Sequence, residues 1–380
     1  MMKKVRLIAL YLPQFHPVAE NDKYWGKGFT EWRNVAKAKP LFHNHYQPRL
    51  PADLGFYDLR IGDVREQQAE MAKSHGIEGF CYWHYWFGNG KMILERPLEE
   101  VVKSQKPNFP FCVGWANHSW SNKTWEKTKH FTRTVTFLEQ LYPGIEDLTN
   151  HFMYLLPMFK DERYIKVDGK PLFMVFNPFE IPNNNEMIEL WNSLARKYGL
   201  QGIHFVARAE TATVGSRKEI ILKGIEENAR EKQCFDWGYD AVYAVPVQKI
   251  KVMDSSRIDL IFDKIALKLR LPKRVEKHNY KSVLKYLFNS NSYNDNIYPM
   301  LIPHWDNTPR AGNKGYVYIG ESPKLFGKSV DLAIDVVKKK PEEKRIVFIH
   351  SWNEWGEGAY LEPDLKYGMQ YLEEIRKRIM

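Results

Sequence analysis

Eight short apolar runs recur along the chain, each preceded by polar sequence compatible with a helix: 5–12, 76–83, 109–116, 170–176, 202–208, 239–245, 298–305 and 345–352. Their hydrophobicity is continuous rather than alternating, which marks strands buried on both faces, as in a parallel sheet. The segments between them are long enough for crossover helices; residues 66–76, for example, read as a helix stopped by Gly76. Eight such units specify an α/β chain folded as a (β/α)8 barrel. Long loops are expected after strands one, three and six. With 380 residues and 44% apolar composition the chain can bury a large core, and one domain spanning 1–380 is the expectation.

Several classes are set aside by the same reading. Cys81, Cys112 and Cys234 are far apart, form no CxxC pair and read as buried core thiols. The basic start MMKKVR precedes an apolar run that ends at Pro13, shorter than the roughly 7 to 15 residues of a signal-peptide core. No apolar stretch approaches the ~20 residues of a membrane span, so a soluble, cytoplasmic chain is expected.

Polar and aromatic residues gather where the runs end. Gln14 and His16 follow the first run, His84 and Tyr85 the second, Asn117 and His118 the third, Asn177 the fourth, Arg208 and Glu210 the fifth. His304 and Asp306 close the seventh, and Asn353 with Glu354 follow the eighth. In a barrel these ends meet on one face, where active sites of the fold lie. Of the 12 tryptophans, Trp32, Trp83, Trp86, Trp115, Trp120, Trp125, Trp305, Trp352 and Trp355 fall in the same segments. Sugar rings present apolar C–H faces that pack on aromatic faces, with Asn117, Arg310 and Asp306 at hand for hydroxyls; the competing use of these rings is core packing.

The last of these segments reads SWNEWGEGAYLEPD. Glu354 and Glu357 are three apart, which on a helical turn puts both carboxylates on one face. Glycosidic cleavage needs such a pair, one group to protonate the leaving oxygen and one to attack or assist from the other side. Trp352 and Trp355 can desolvate a carboxyl and raise its pKa. Gly356 and Gly358 are expected to let a sugar approach the backbone, and Glu362 completes the candidate set.

Together with YLPQFHPVAENDKYWGKGFTEW, HYQPRLPADLGFYDLR, GFCYWHYWF, RYIKVDGKPLF and WDNTPR, this segment resembles the WbsX family of polysaccharide biosynthesis proteins, relatives of the family 99 glycoside hydrolases, the endo-α-mannosidases. The likeness covers most of residues 5–180 and 298–371 and is weak over 181–297. It implies a (β/α)8 fold and a retaining cleavage without a metal or other cofactor. Glu354 would deprotonate the sugar 2-hydroxyl, giving an anhydro-sugar intermediate, and Glu357 would be the general acid and base. Two positions depart from the pattern. Gly356 stands where the hydrolases carry histidine, in EWGEG against EWHEG, and WANHSW carries His118 where glutamate is expected in relatives of WbsX type. Substrate identity therefore does not carry over.

Two other functions compete. A glycosyltransferase fits the family's label, although the chain has no DxD, no GxGxxG before a helix and no P-loop for a nucleotide sugar. A noncatalytic glycan-binding protein would be favoured by carboxyls far apart or paired with arginines. His43 and His45 form an HxH, but no acidic residue at ligand spacing completes a metal site. The net charge of +10 is concentrated in an insertion at about 249–297, between strands six and seven: residues 251–285 hold ten Lys or Arg and four Asp or Glu. It reads as basic helices that are either solvated or laid, through 251–286, against a membrane or a lipid-linked glycan; no nucleic-acid motif accompanies the charge.

Overall fold

The computed structural model describes residues 5–121, 135–209, 224–243, 250, 254 and 274–380. Among them, eight parallel strands form a ring: β1 (Arg6–Tyr11), β2 (Gly79–Trp86), β3 (Phe111–Trp115), β4 (Lys170–Val175), β5 (His204–Arg208), β6 (Ala241–Tyr243), β7 (Ile297–Tyr298 and Met300–Leu301) and β8 (Ile346–Ile349). β1 pairs with β2 through Ile8↔Gly79 and with β8 through Arg6↔Ile346. Closure falls to β7, which is broken at Pro299. Its first half pairs with β6 (Val242↔Ile297) and its second with β8 (Met300↔Phe348). Proline has no N–H to give a ladder, yet the Pro299 carbonyl accepts from Phe348 N at 2.9 Å, so the strand changes partner at the residue that cannot donate.

Helices pack outside the ring in the expected alternation, among them Gly62–Ser74, Arg96–Ser104, Ile145–Phe159, Asn184–Lys197 and Pro323–Val337. The first of these ends two residues before Gly76, whose φ of +85° suits a glycine at a helix end. Trp191 of Asn184–Lys197 is fully buried against Phe173 and Phe205 of β4 and β5, and it joins helix to barrel.

Three expectations are corrected. β2 lies three residues later than read, so His84 and Tyr85 sit within it and face opposite sides. β7 stops at Leu301, two residues before Pro303, which leaves His304 to Asp306 on the loop that follows. The insertion is not simply helical. Its described part includes a strand, Glu276–Asn279, paired in parallel with Tyr316–Ile319 from the loop after β7, and then the helix Tyr280–Tyr286. Residues 251–253 and 255–273, which carry most of its basic charge, lie outside the described residues, as do Glu210 and Trp125.

Candidate active site

The chain leaves β8 into a short antiparallel hairpin in which Asn353–Glu354 pair with Ala359–Tyr360, with a 3-10 turn, Trp355–Glu357, between them. Glu354, in the strand, caps this turn and Glu357 ends it, so no helical turn joins them as expected; the two side chains come together instead at one arginine. The hairpin is fixed to the end of β1. Asn353 Oδ1 accepts from Leu12 N at 2.7 Å and its Nδ2 donates to Leu12 O at 3.0 Å, while Trp352 N donates to Leu10 O at 2.7 Å.

Arg310, on the short helix Thr308–Ala311 after β7, joins the two glutamates. Its Nη1 meets Glu357 Oε1 at 2.9 Å and its Nη2 bonds Glu354 Oε1. A third carboxylate, Glu31, grips the same guanidinium from behind in a bidentate pair, with Nε to Oε1 at 3.0 Å and Nη2 to Oε2 at 2.9 Å. Asn34 Nδ2 donates to Glu31 Oε1 at 3.1 Å. Sequence reading missed Glu31. Its only signal was its place inside the FTEW motif.

Three carboxylates around one arginine cannot all be neutralised. Burial pushes Glu354 up to about 8; Arg310 opposes the shift, and Glu357 and Glu31 add to it. The Glu354 side chain is 7% exposed and that of Glu357 21%, so Glu357 is the one in contact with solvent. Around them stand Tyr85, whose phenol feels Glu354 most strongly after burial, and the Arg208 guanidinium, which lies 4.4 Å over Phe176 and within electrostatic reach of Glu357. Trp305 is stacked between Tyr316 and His350, each 5.3 Å away. Trp83 meets Phe176 edge-on, and His118 packs beside Phe176 and Tyr85. Trp32 touches the exposed Phe56 and, at 5.6 Å, Trp355.

Apart from Gln14, the other expected sugar contacts serve the framework. His84 faces outward, where its Nε2 lies 3.0 Å from His151 Nε2 on the helix Ile145–Phe159; burial pushes it down to about 3, and it is a neutral core histidine. Trp115 packs on the same side and donates to Trp86 O at 2.9 Å. Trp352 is fully buried against Phe80, and Trp355 is stacked 3.7 Å from Tyr360. Asn117 ties β3 to β4 through Asn177 and Tyr142. Gln14 is fully buried; its backbone carbonyl accepts from Glu31 N at 3.2 Å, while neither atom of its side-chain amide has a hydrogen-bond partner among the described residues, so the framework does not account for its side chain. His16 is buried beside Asp58 and Arg60, and burial pushes it down to about 4. His304 is buried against Gly358 O and Tyr360.

Asp306 is also committed to the framework, accepting from His45 and Gln47 at 2.7 Å each and from Thr308; these bonds and Arg49 hold its carboxyl down against burial, and they employ the His45 of the HxH. Neither glycine opens the backbone to a sugar. A Cβ at Gly356 would stand 2.1 Å from Glu31 Oε1, and one at Gly358, where φ is +54°, 2.9 Å from the Asp306 backbone.

Glu362 is a support rather than a sugar contact, for Gln68, Tyr57 and Trp355 donate to its carboxylate at 2.7, 2.8 and 2.6 Å. Burial still pushes it up to about 7. A carboxyl raised from about 4.5 favours the fold fully below pH 4.5, and that stabilisation fades as pH climbs through 7, an effect of about 3 kcal/mol. Glu354 acts in the same direction. Melting temperature should therefore fall between pH 5 and 8, and Glu362→Gln should flatten that slope when the two proteins are melted side by side; equal slopes would remove Glu362 from the account.

A family model described as glycosyltransferase WbsX matches residues 7–375. Two proteins, each called uncharacterized protein WxcX, from Xanthomonas campestris pv. campestris strains B100 and ATCC 33913, are 32% and 33% identical over 98% of this chain. The chain spans 49% of their length, about half of the curated relatives it matches. Among solved structures, a glycoside hydrolase-like protein aligns over 99% of this chain and 94% of its own, with TM-score 0.56 and 16% identity. The endo-alpha-mannosidase of glycoside hydrolase family 99 from Bacteroides thetaiotaomicron, in complex with BIS-TRIS-propane, aligns over 98% and 95%, with TM-score 0.51 and 14% identity. These two likenesses are of fold, and they agree with the (β/α)8 ring.

Proposed function

The chain belongs to the glycosyltransferase WbsX family, and from that premise we propose that it is a carbohydrate-active enzyme in which Glu354 and Glu357 form a retaining acid/base pair acting on a surface polysaccharide or its oligosaccharide precursor. The observation that carries this reading is the charge count around Arg310. Pairing with arginine is the arrangement that favours a purely binding role, and Arg310 does contact both glutamates. Its single positive charge, however, is already matched by Glu31. Burial then raises Glu354 to about 8 although Arg310 opposes it, so the buried pair keeps a proton at neutral pH that can pass to Glu357 on the same guanidinium, which is what proton transfer requires and what a saturated structural ion pair lacks.

In the first step Glu357 gives its proton to the leaving oxygen as the C1–O bond breaks, while Glu354 takes the 2-hydroxyl proton and O2 closes on C1. In the second, an acceptor hydroxyl adds to C1 as the C1–O2 bond breaks, losing its proton to Glu357 while Glu354 returns its proton to the released O2. A carboxyl poised near working pH suits a group that must take and give back a proton. Water as acceptor makes the enzyme a hydrolase. A glycan acceptor makes it a transglycosylase or glycosyltransferase, the reading that the family description favours. Aromatic contacts would come from Trp32, Trp83, Tyr85 and Trp305, with His118 at the mouth. The reading keeps the chain in the cytoplasm and any membrane contact in 251–286; no helix among the described residues is long and apolar enough to cross a membrane.

The shared proton sets the pH dependence. Above about pH 8, where Glu354 ionises, the pair holds no proton for Glu357 to give, so kcat/KM should fall, and gaining a second proton should lower it again on the acid side by removing the base. A bell-shaped profile with an alkaline limb near 8 is expected. A rate that stays flat from pH 6 to 10 would contradict the pair.

A further inference from the structure

We propose that Glu31 is a positioning residue of the site: it fills the space left by the absent side chain at Gly356 and clamps Arg310 so that the two terminal nitrogens of the guanidinium hold Glu354 and Glu357 together. This rests on the reading of the two glutamates as the acid/base pair. Three observations carry it. The Glu31–Arg310 contact is bidentate and buried, and its acceptor Oε1 is further fixed by Asn34. The same guanidinium reaches both glutamates, Nη2, which Glu31 also holds, bonding Glu354 and Nη1 meeting Glu357. Position 356 has no room for a side chain, since a Cβ there would fall 2.1 Å from Glu31 Oε1 and 2.7 Å from Arg310 Nε.

Position 356 and residue 31 therefore exclude each other. A chain with a side chain between the two glutamates cannot keep a carboxylate where Glu31 stands. The Gly356 departure from EWHEG is explained by what fills the gap, rather than by a sugar entering it.

The clamp also has an electrostatic consequence. Glu31 neutralises Arg310, so the guanidinium lowers the proton affinity of the pair less than a free arginine would. The other groups facing the pair are Tyr85 toward Glu354, and Arg208, His350 and Tyr316 toward Glu357. Of these only Tyr85 also feels Glu31, and it stays a neutral phenol in either case. In Glu31→Gln the full charge of Arg310 acts on Glu354 and Glu357, and their last proton should be lost about one pH unit lower.

The test is a pH titration of 13C-carboxyl-labelled glutamates by NMR in the wild type and Glu31→Gln, with resonances assigned from Glu354→Gln and Glu357→Gln, alongside the pH–rate profile. An acidward shift of both the carboxyl titration and the alkaline limb is the expected result; an unmoved titration overturns the proposal, whatever the activity. A wild type that turns over no glycan while its carboxyls still shift would remove the catalytic reading and leave the clamp in place. Should Glu31→Gln fold poorly, a steric pair decides instead. Gly356→Ala should destabilise the wild type and cost less in the Glu31→Ala background, where the 2.1 Å contact is gone and only the 2.7 Å approach to Arg310 Nε remains; an equal cost in both backgrounds would overturn the mutual exclusion.

Discussion

Replacing Glu357 by glutamine is expected to lower kcat roughly a thousandfold while leaving glycan binding nearly intact, since proton transfer by a positioned side chain contributes about 10²–10⁴-fold. Glutamine keeps the size of the side chain and an oxygen for Arg310 Nη1, now 2.9 Å from Glu357, but it has no proton to give and no charge to accept one. The loss should fall on kcat rather than KM, as for a group acting only at the transition state. Binding of the oligosaccharide by calorimetry separates the two. A parallel loss of affinity would point to a hydroxyl-binding role for Glu357.

The largest expected loss of stability comes from Arg310→Leu. Arg310 is buried with Glu31, Glu354 and Glu357 around it, and burial works against its charge while the three carboxylates hold that charge in place. Removing it leaves Glu31, fully buried, without its bidentate partner. Breaking a buried pair by deleting one partner costs about 3–5 kcal/mol. Urea denaturation at pH 7 should show that drop. Lowering the pH should recover part of it, because protonating the stranded carboxyls removes the buried charge. A loss below about 1 kcal/mol would mean that the cluster is solvated and the charge count above is wrong.

Much of the barrel could be read from the apolar runs, because strands buried on both faces leave a continuous signature that does not depend on register. What could not be read was which face a residue takes. In β2, Trp83 and Tyr85 turn toward the site while His84 and Trp86 turn to the helix Ile145–Phe159, and a strand placed three residues too early cannot separate them. Trp115 and Trp352 went to the core for the same reason: aromatic composition marks a residue as useful in either place. Glu354 and Glu357 were legible because their spacing is local. Glu31 was not, for its contact with Arg310 spans 279 residues and only the closed ring brings the loops after β1 and β7 together. The space at Gly356 was misread likewise: a glycine between two glutamates says that something comes close, without saying that it is a carboxylate.

The most direct test of the central claim is proton NMR of the anomeric signals, with mass spectrometry of the products, as the wild type and Glu357→Gln act on surface oligosaccharides of the producing organism and on α-mannosides. The account predicts cleavage or chain lengthening with the anomeric configuration retained in the wild type and lost turnover in the variant. No turnover by the wild type, with tight glycan binding that is indifferent to both glutamates, would contradict it and leave a glycan-binding barrel.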